Sequence, residues 1–139
     1  MLEQRYSRQW VIVVVAVLGT TLTGTTTRAA EKHTAESLMA VARALNDRKG
    51  VLVDVREKEE WNDGHLVVAK LLPLSLLQTG VRADDLARYL PKGTPVYLHC
   101  ASGRRCLAAA ALLRRYGYDV RPLPQGYEDL VAAGFRKAE

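Results

Sequence analysis

The chain has 139 residues, 48% hydrophobic and 25% charged, with a formal net charge of +5. Those shares are ordinary for a globular protein and exclude a collagenous, low-complexity or wholly disordered chain; the length predicts one domain. Arg5, Arg8 and Arg28 against Glu3 place +2 of the charge in the first 29 residues. The remaining +3 is interleaved with acids, which excludes the basic stripe of a nucleic-acid binder. Two cysteines are too few to staple a disulfide scaffold.

Residues 1–29 read as a targeting segment. Arg5 and Arg8 precede an apolar run from Trp10 to Gly19, then a threonine-rich stretch ends in small residues at Thr27 and Ala29. This is the pattern of a secretory signal cut after Ala29. A retained anchor is the alternative, but ten helical residues span only about 15 Å of a ~30 Å hydrocarbon core. Membrane association is therefore expected only if the segment is uncleaved. The expectation is an exported protein, periplasmic or otherwise extracytoplasmic, with residues 30–139 as its single domain.

Along that domain, Leu38, Val41, Ala42 and Leu45 recur at helical spacing, predicting a helix over Ala35–Asp47 with Thr34 as its cap. Val51–Val55 is a β-branched run expected as a buried strand, and Glu57–Asp63 a short polar helix. Lys70–Leu74 reads as a second strand, and Leu86, Ala87 and Leu90 mark a helix ended by Pro91 and Gly93. Pro95–His99 is a third strand, Arg104–Tyr116 a helix closed by Gly117, Asp119–Leu123 a fourth strand, and Tyr127–Ala133 a last short helix. Strands alternating with helices imply βα units, and strands without apolar/polar alternation imply burial on both faces. The fold class is α/β: a small open parallel sheet flanked by helices on both faces. Ligands of such sheets sit beyond the carboxyl ends of the strands.

One of those ends is rich in chemistry. Cys100-Ala101-Ser102-Gly103-Arg104-Arg105 falls between a strand and a helix. A turn of small residues there can curl its N–H groups inward as an anion-binding nest, and the helix N-terminus adds partial positive charge. Gly103 permits the positive φ such a curl needs, and Arg104 and Arg105 add fixed charge. Every one of these features favours the thiolate of Cys100. A small buried hydrophobe ending a strand would explain Cys100 but not the Gly-Arg-Arg beside it.

Five marks in order carry a resemblance: Leu52-Val53-Asp54-Val55-Arg56, Glu60-Trp61 with Gly64-His65, the Cys100–Arg105 loop, Gly117-Tyr118-Asp119-Val120, and Gly126-Tyr127-Glu128-Asp129-Leu130. Together they resemble the rhodanese (sulfurtransferase) family. The resemblance implies that Cys100 takes a sulfane sulfur from a small anionic donor of the thiosulfate type. The persulfide so formed is passed to a thiol or cyanide-like acceptor. Ala101, Ser102, Gly103, Arg104 and Arg105 would hold the substrate, with Arg105 at the family's loop-closing position and pointing inward. No cofactor and no metal is implied. The chain departs from the family pattern where Gln125-Gly126 replaces a glycine pair, Leu130 a tryptophan, and His65-Leu66-Val67-Val68-Ala69 lacks a turn glycine. The family's opening strand is weak or missing around Glu31–Thr34.

Two other readings stand beside sulfur transfer. One is a non-catalytic binding module or thiol-redox module on the same fold. The other is phosphatase or arsenate reductase chemistry, whose loop places arginine sixth after the cysteine; here that residue is Cys106, and Arg105 comes one position early, making a tighter ring. Cys106 shares a helix face with Ala110 and Leu113, so it is expected as a buried structural cysteine or as a resolving thiol for Cys100. Arg56 is expected to pair with Glu59 or Glu60, His65 to bond in a turn, and His99 to be a strand residue. Arg114-Arg115 reads as a solvated helix end.

Overall fold

The computed structural model describes residues 30–139; the targeting segment read at 1–29 lies outside them. Four parallel strands form one sheet in the order β2-β1-β3-β4: β1 (Val51–Asp54), β2 (Ala69–Leu71), β3 (Val96–Cys100) and β4 (Val120–Gly126). The helices are α1 (Leu38–Asn46), α2 (Lys58–Asp63), α3 (Leu74–Thr79), α4 (Ala83–Tyr89), α5 (Arg104–Arg115) and α6 (Tyr127–Ala132). The expected α/β class is the observed one.

Side chains alternate across a strand, and that alternation divides the core in two. Val53, Val96, Leu98 and Cys100 face α3, α4 and α5, where they meet Leu77, Leu86, Cys106, Ala109, Ala110 and Leu113. Leu52, Tyr97 and Leu123 face the other way, onto Val41 of α1 and Tyr127 and Leu130 of α6. Ala109 and Ala110 are fully buried. Their small side chains let α5 approach the sheet, and a larger residue there would overpack it by about 1–3 kcal/mol.

Several expectations are corrected. Ser37, and not Thr34, caps α1: its Oγ accepts the Ala40 N–H at 3.2 Å. Thr34 lies earlier, its N–H donating to the Pro122 carbonyl at 2.8 Å. The second strand stops at Leu71, and Leu74 opens α3, a helix the sequence reading missed because Leu71, Leu72 and Leu74 look like one apolar run. Pro73 marks the boundary, its φ of −56° suiting the start of a helix. The extended path nevertheless continues briefly, since Leu72 and Leu74 donate to Asp54 and Val55 carbonyls at 2.9 and 3.1 Å.

From β1 the chain moves outward to β2 and then returns past β1 to β3. The strand order therefore reverses between β1 and β3, which places a crevice at their carboxyl ends. Asp54-Val55-Arg56 and His99-Cys100 meet there, the Val55 N–H donating to the His99 carbonyl at 3.0 Å.

Candidate active site

Cys100 ends β3 with its side chain on the α5 side of the sheet and no exposed surface. The next three residues form the turn, and Gly103 precedes α5 with φ of 80°, a conformation that costs a side-chain-bearing residue about 1 kcal/mol or more. A Cβ there would also lie 2.7 Å from the Pro124 carbonyl oxygen. The His33 Nε2 donates to the Gly103 carbonyl at 3.0 Å, tying the loop to the segment ahead of α1.

The curl brings donors onto the sulfur. The Cys106 thiol and the backbone N–H groups of Ser102, Cys106 and Arg105 all hydrogen-bond to Cys100. Led by the Cys106 S–H, and against the opposing effect of burial, they hold the Cys100 thiol far below its ordinary value, at about 5. Cys106 is pushed strongly up, first by donating to Cys100 and then by burial. At neutral pH the pair is thus a Cys100 thiolate beside a Cys106 thiol.

Gly126 completes the ring from outside. Cys100 pairs with it across β3 and β4, and a Cβ on Gly126 would overlap the Ala101 carbonyl oxygen. Only glycine lets β4 come this close to the loop. The sequence marked Gly126 as part of a family ending, but its contact with Ala101 needed the β3–β4 register.

The two loop arginines differ. Arg105 is held by Glu60 of α2 in a two-pronged pair at 2.6 and 2.7 Å, and Arg105 in turn is the first cause that lowers Glu60, to about 2. Arg104 is exposed and has no ionic partner among the described residues. Glu60 therefore belongs to Arg105 and not, as expected, to Arg56. Arg56 is buried and grips Asp54 instead, with Nη2 donating to Oδ2 at 2.7 Å and Nε to both oxygens at 3.0 Å. It also donates to the Gly64 carbonyl at 2.8 Å and stacks 4.1 Å over the Tyr127 ring.

His99 is fully buried beside this pair, with Nε2 3.6 Å from Asp54 Oδ2. Burial lowers its pKa to about 4, so it is neutral at pH 7. His65 sits outside the ring, its Nδ1 donating to the Trp61 carbonyl at 3.1 Å and its ring stacked on Trp61. Arg114, expected to be solvated, pairs with Glu31 and donates to the Val120 carbonyl. No group of three His, Cys, Asp or Glu side chains among the described residues could hold a metal ion.

An open cavity of about 200 Å³ lies at Arg56 and Glu60, lined also by Gly64, Tyr127, Glu128 and Lys137 and by no residue of the Cys100–Arg105 loop. A larger groove of about 380 Å³ lies between the end of α1, Val67-Val68 and Phe135. It contains none of the loop residues.

The profile of the Rhodanese-like domain family matches residues 37–133, most of the described chain. The chain belongs to the Rhodanese-like domain family. Its rhodanese-like relatives include the probable adenylyltransferase/sulfurtransferase MoeZ of Mycobacterium tuberculosis, 37% identical over 71 residues, or 51% of this chain and 17% of that protein. Another is the putative mitochondrial thiosulfate sulfurtransferase of Schizosaccharomyces pombe, 29% identical over 83 residues, or 55% of this chain and 58% of that one. The chain thus spans less than two thirds of either relative. Among solved structures, protein hp1203 of Helicobacter pylori superposes with a TM-score of 0.54 at 32% identity, covering 66% of this chain and 79% of that one.

Proposed function

We propose that this rhodanese-like domain is a sulfurtransferase acting through a persulfide on Cys100. The donor is a small anion carrying a sulfane sulfur, thiosulfate being the type, and the acceptor is a thiol or cyanide-like nucleophile. The observation that carries the reading is the ring of donors on one sulfur: the Ser102, Arg105 and Cys106 N–H groups and the Cys106 S–H.

The steps follow from that ring. The Cys100 thiolate attacks the donor's outer sulfur, the donor's S–S bond breaks, and its remainder leaves with the electron pair. Negative charge then rests on the outer sulfur of the persulfide, where inward-pointing N–H groups and the start of the α5 dipole stabilise it. Arg104, exposed at the loop, supplies long-range attraction for an anionic donor. An acceptor nucleophile takes the outer sulfur and restores the thiolate.

Two observations favour sulfur over phosphate. The sixth residue after Cys100 is Cys106, where a phosphate-binding loop would place an arginine, and the Arg105 guanidinium is already committed to Glu60. A binding module would not need a thiolate held at about 5. Mass spectrometry of the reduced chain after thiosulfate treatment is expected to show one added sulfur on Cys100, removable by cyanide. Cys100→Ala is expected to abolish both the adduct and thiocyanate formation. Undiminished transfer by Cys100→Ala would sink the mechanism; a Cys100 inert to thiosulfate and to polysulfide would favour the binding module.

A further inference from the structure

Cys106 has no nucleophilic role in that scheme, yet it is a second thiol buried in the same core cluster as the reacting sulfur. Both cysteines are free and fully buried. They pack in one core cluster, Cys100 at the end of β3 and Cys106 in the first turn of α5. Each thiol is the leading influence on the other's acidity, Cys106 lowering Cys100 and Cys100 raising Cys106. We propose that Cys106 is a resolving thiol, which attacks the inner sulfur of the Cys100 persulfide, releases hydrosulfide and leaves a Cys100–Cys106 disulfide. This rests on the sulfurtransferase reading and gives it a different product.

The step balances without an added oxidant. A bond forms between the two cysteine sulfurs, and the bond from Cys100 to the outer sulfur breaks. The outer sulfur leaves with that electron pair and takes the proton that Cys106 gives up. Each cysteine is oxidised by one electron, and the sulfane sulfur is reduced by two. Reopening the disulfide takes a dithiol reductant, by ordinary thiol–disulfide exchange.

Burial and charge both favour this route. The inner sulfur is buried away from bulk thiols, but Cys106 is buried in the same cluster, so the reaction is intramolecular and gains the corresponding effective concentration. Timing follows from the charge. While Cys100 is a thiolate, that anion keeps Cys106 protonated, by hydrogen bond and by direct charge. Once Cys100 carries the outer sulfur, the charge moves outward and both of those effects weaken. Cys106 therefore becomes a better nucleophile only after loading. A hydroxyl at this position could donate the same hydrogen bond but could not take this step.

The test uses the 139-residue chain, reduced and freed of small thiols, mixed with thiosulfate. Sulfite, sulfide and the intact mass under non-reducing conditions are followed together. Wild type is expected to release sulfite and then about one sulfide per chain, ending lighter than the reduced chain by two hydrogens. Cys106→Ser and Cys106→Ala are expected to load and release sulfite more slowly, having lost the Cys106 thiol from the ring, but to keep the persulfide, with sulfide per sulfite released down at least about ten-fold. Sulfite release by these variants shows that they are folded and loaded. A wild-type chain that keeps its persulfide as they do overturns the inference alone. No sulfite from any of the chains overturns the sulfurtransferase reading, and this inference falls with it.

Discussion

The carboxyl ends of β1 and β3 lie side by side at the switch point, and both carry charge, but they satisfy it in opposite ways. At the end of β1, Asp54 and Arg56 are buried and answer each other: the carboxylate takes the Arg56 guanidinium and its backbone N–H, and the spare Nη2 donor goes to Gly64. At the end of β3 the donors of the loop converge on a single thiol that the protein itself holds as an anion. The first end is closed and stabilises the fold. The second keeps a reactive anion at the point where a ligand sulfur can be added. Proximity to the crevice alone therefore does not make a residue part of the chemistry; what matters is whether its hydrogen-bonding capacity is already filled from within.

The largest contrast is in acid–base behaviour. Alkylation of Cys100 by iodoacetamide, resolved from Cys106 by peptide mapping, is expected to be half-maximal near pH 5, against about 8.5 for an ordinary thiol. Its folded pKa lies below the unfolded one, so the linked stability is fully present above the unfolded value and is lost as pH falls through about 5. A midpoint above about 8 would erase the distinction between the two ends.

Next comes the closed end. Asp54→Asn leaves the Arg56 guanidinium buried without its carboxylate, at a cost of about 3–5 kcal/mol in urea unfolding. The Cys100 midpoint is expected to move little, because the groups that lower it most lie in its own loop and in Cys106. A variant as stable as wild type, or one whose Cys100 midpoint rises with the lost stability, would show the two ends to be one unit.

The smallest effect is expected at the half-exposed Glu60–Arg105 pair. Glu60→Gln frees the Arg105 guanidinium, so stability changes by under about 1 kcal/mol while KM for thiosulfate falls about two- to five-fold. In wild type Arg105 holds Glu60 down to about 2. The pair's contribution is therefore complete above the unfolded carboxyl value and fades as pH falls toward about 2. A raised KM in Glu60→Gln would mean that Glu60 aims Arg105 at the donor and does not restrain it.

Much of the site was legible because its donors are local in sequence. Cys100 through Cys106 form one turn between a strand and a helix, so the nest, the positive φ at Gly103 and the helix terminus follow from consecutive residues. The ion pairs were harder. Arg56 has Glu57, Glu59 and Glu60 close in sequence, yet it turns back to Asp54, because both are buried and a buried guanidinium needs a fully desolvated partner at short range. Glu60 is then left to Arg105, which is 45 residues away in sequence. The helix α3 was hidden because its buried Leu74 and Leu77 continue an apolar run that strand and helix share.

The sequence by itself determined the alternation of strands and helices, the parallel sheet they imply, and the cysteine loop at a strand end, since each depends on periodicity or on neighbouring residues. Only the tertiary structure decided which charges pair and that Gly126 must be glycine, because β4 brings it against Ala101. Those outcomes depend on register and burial, which set distances between segments far apart along the chain.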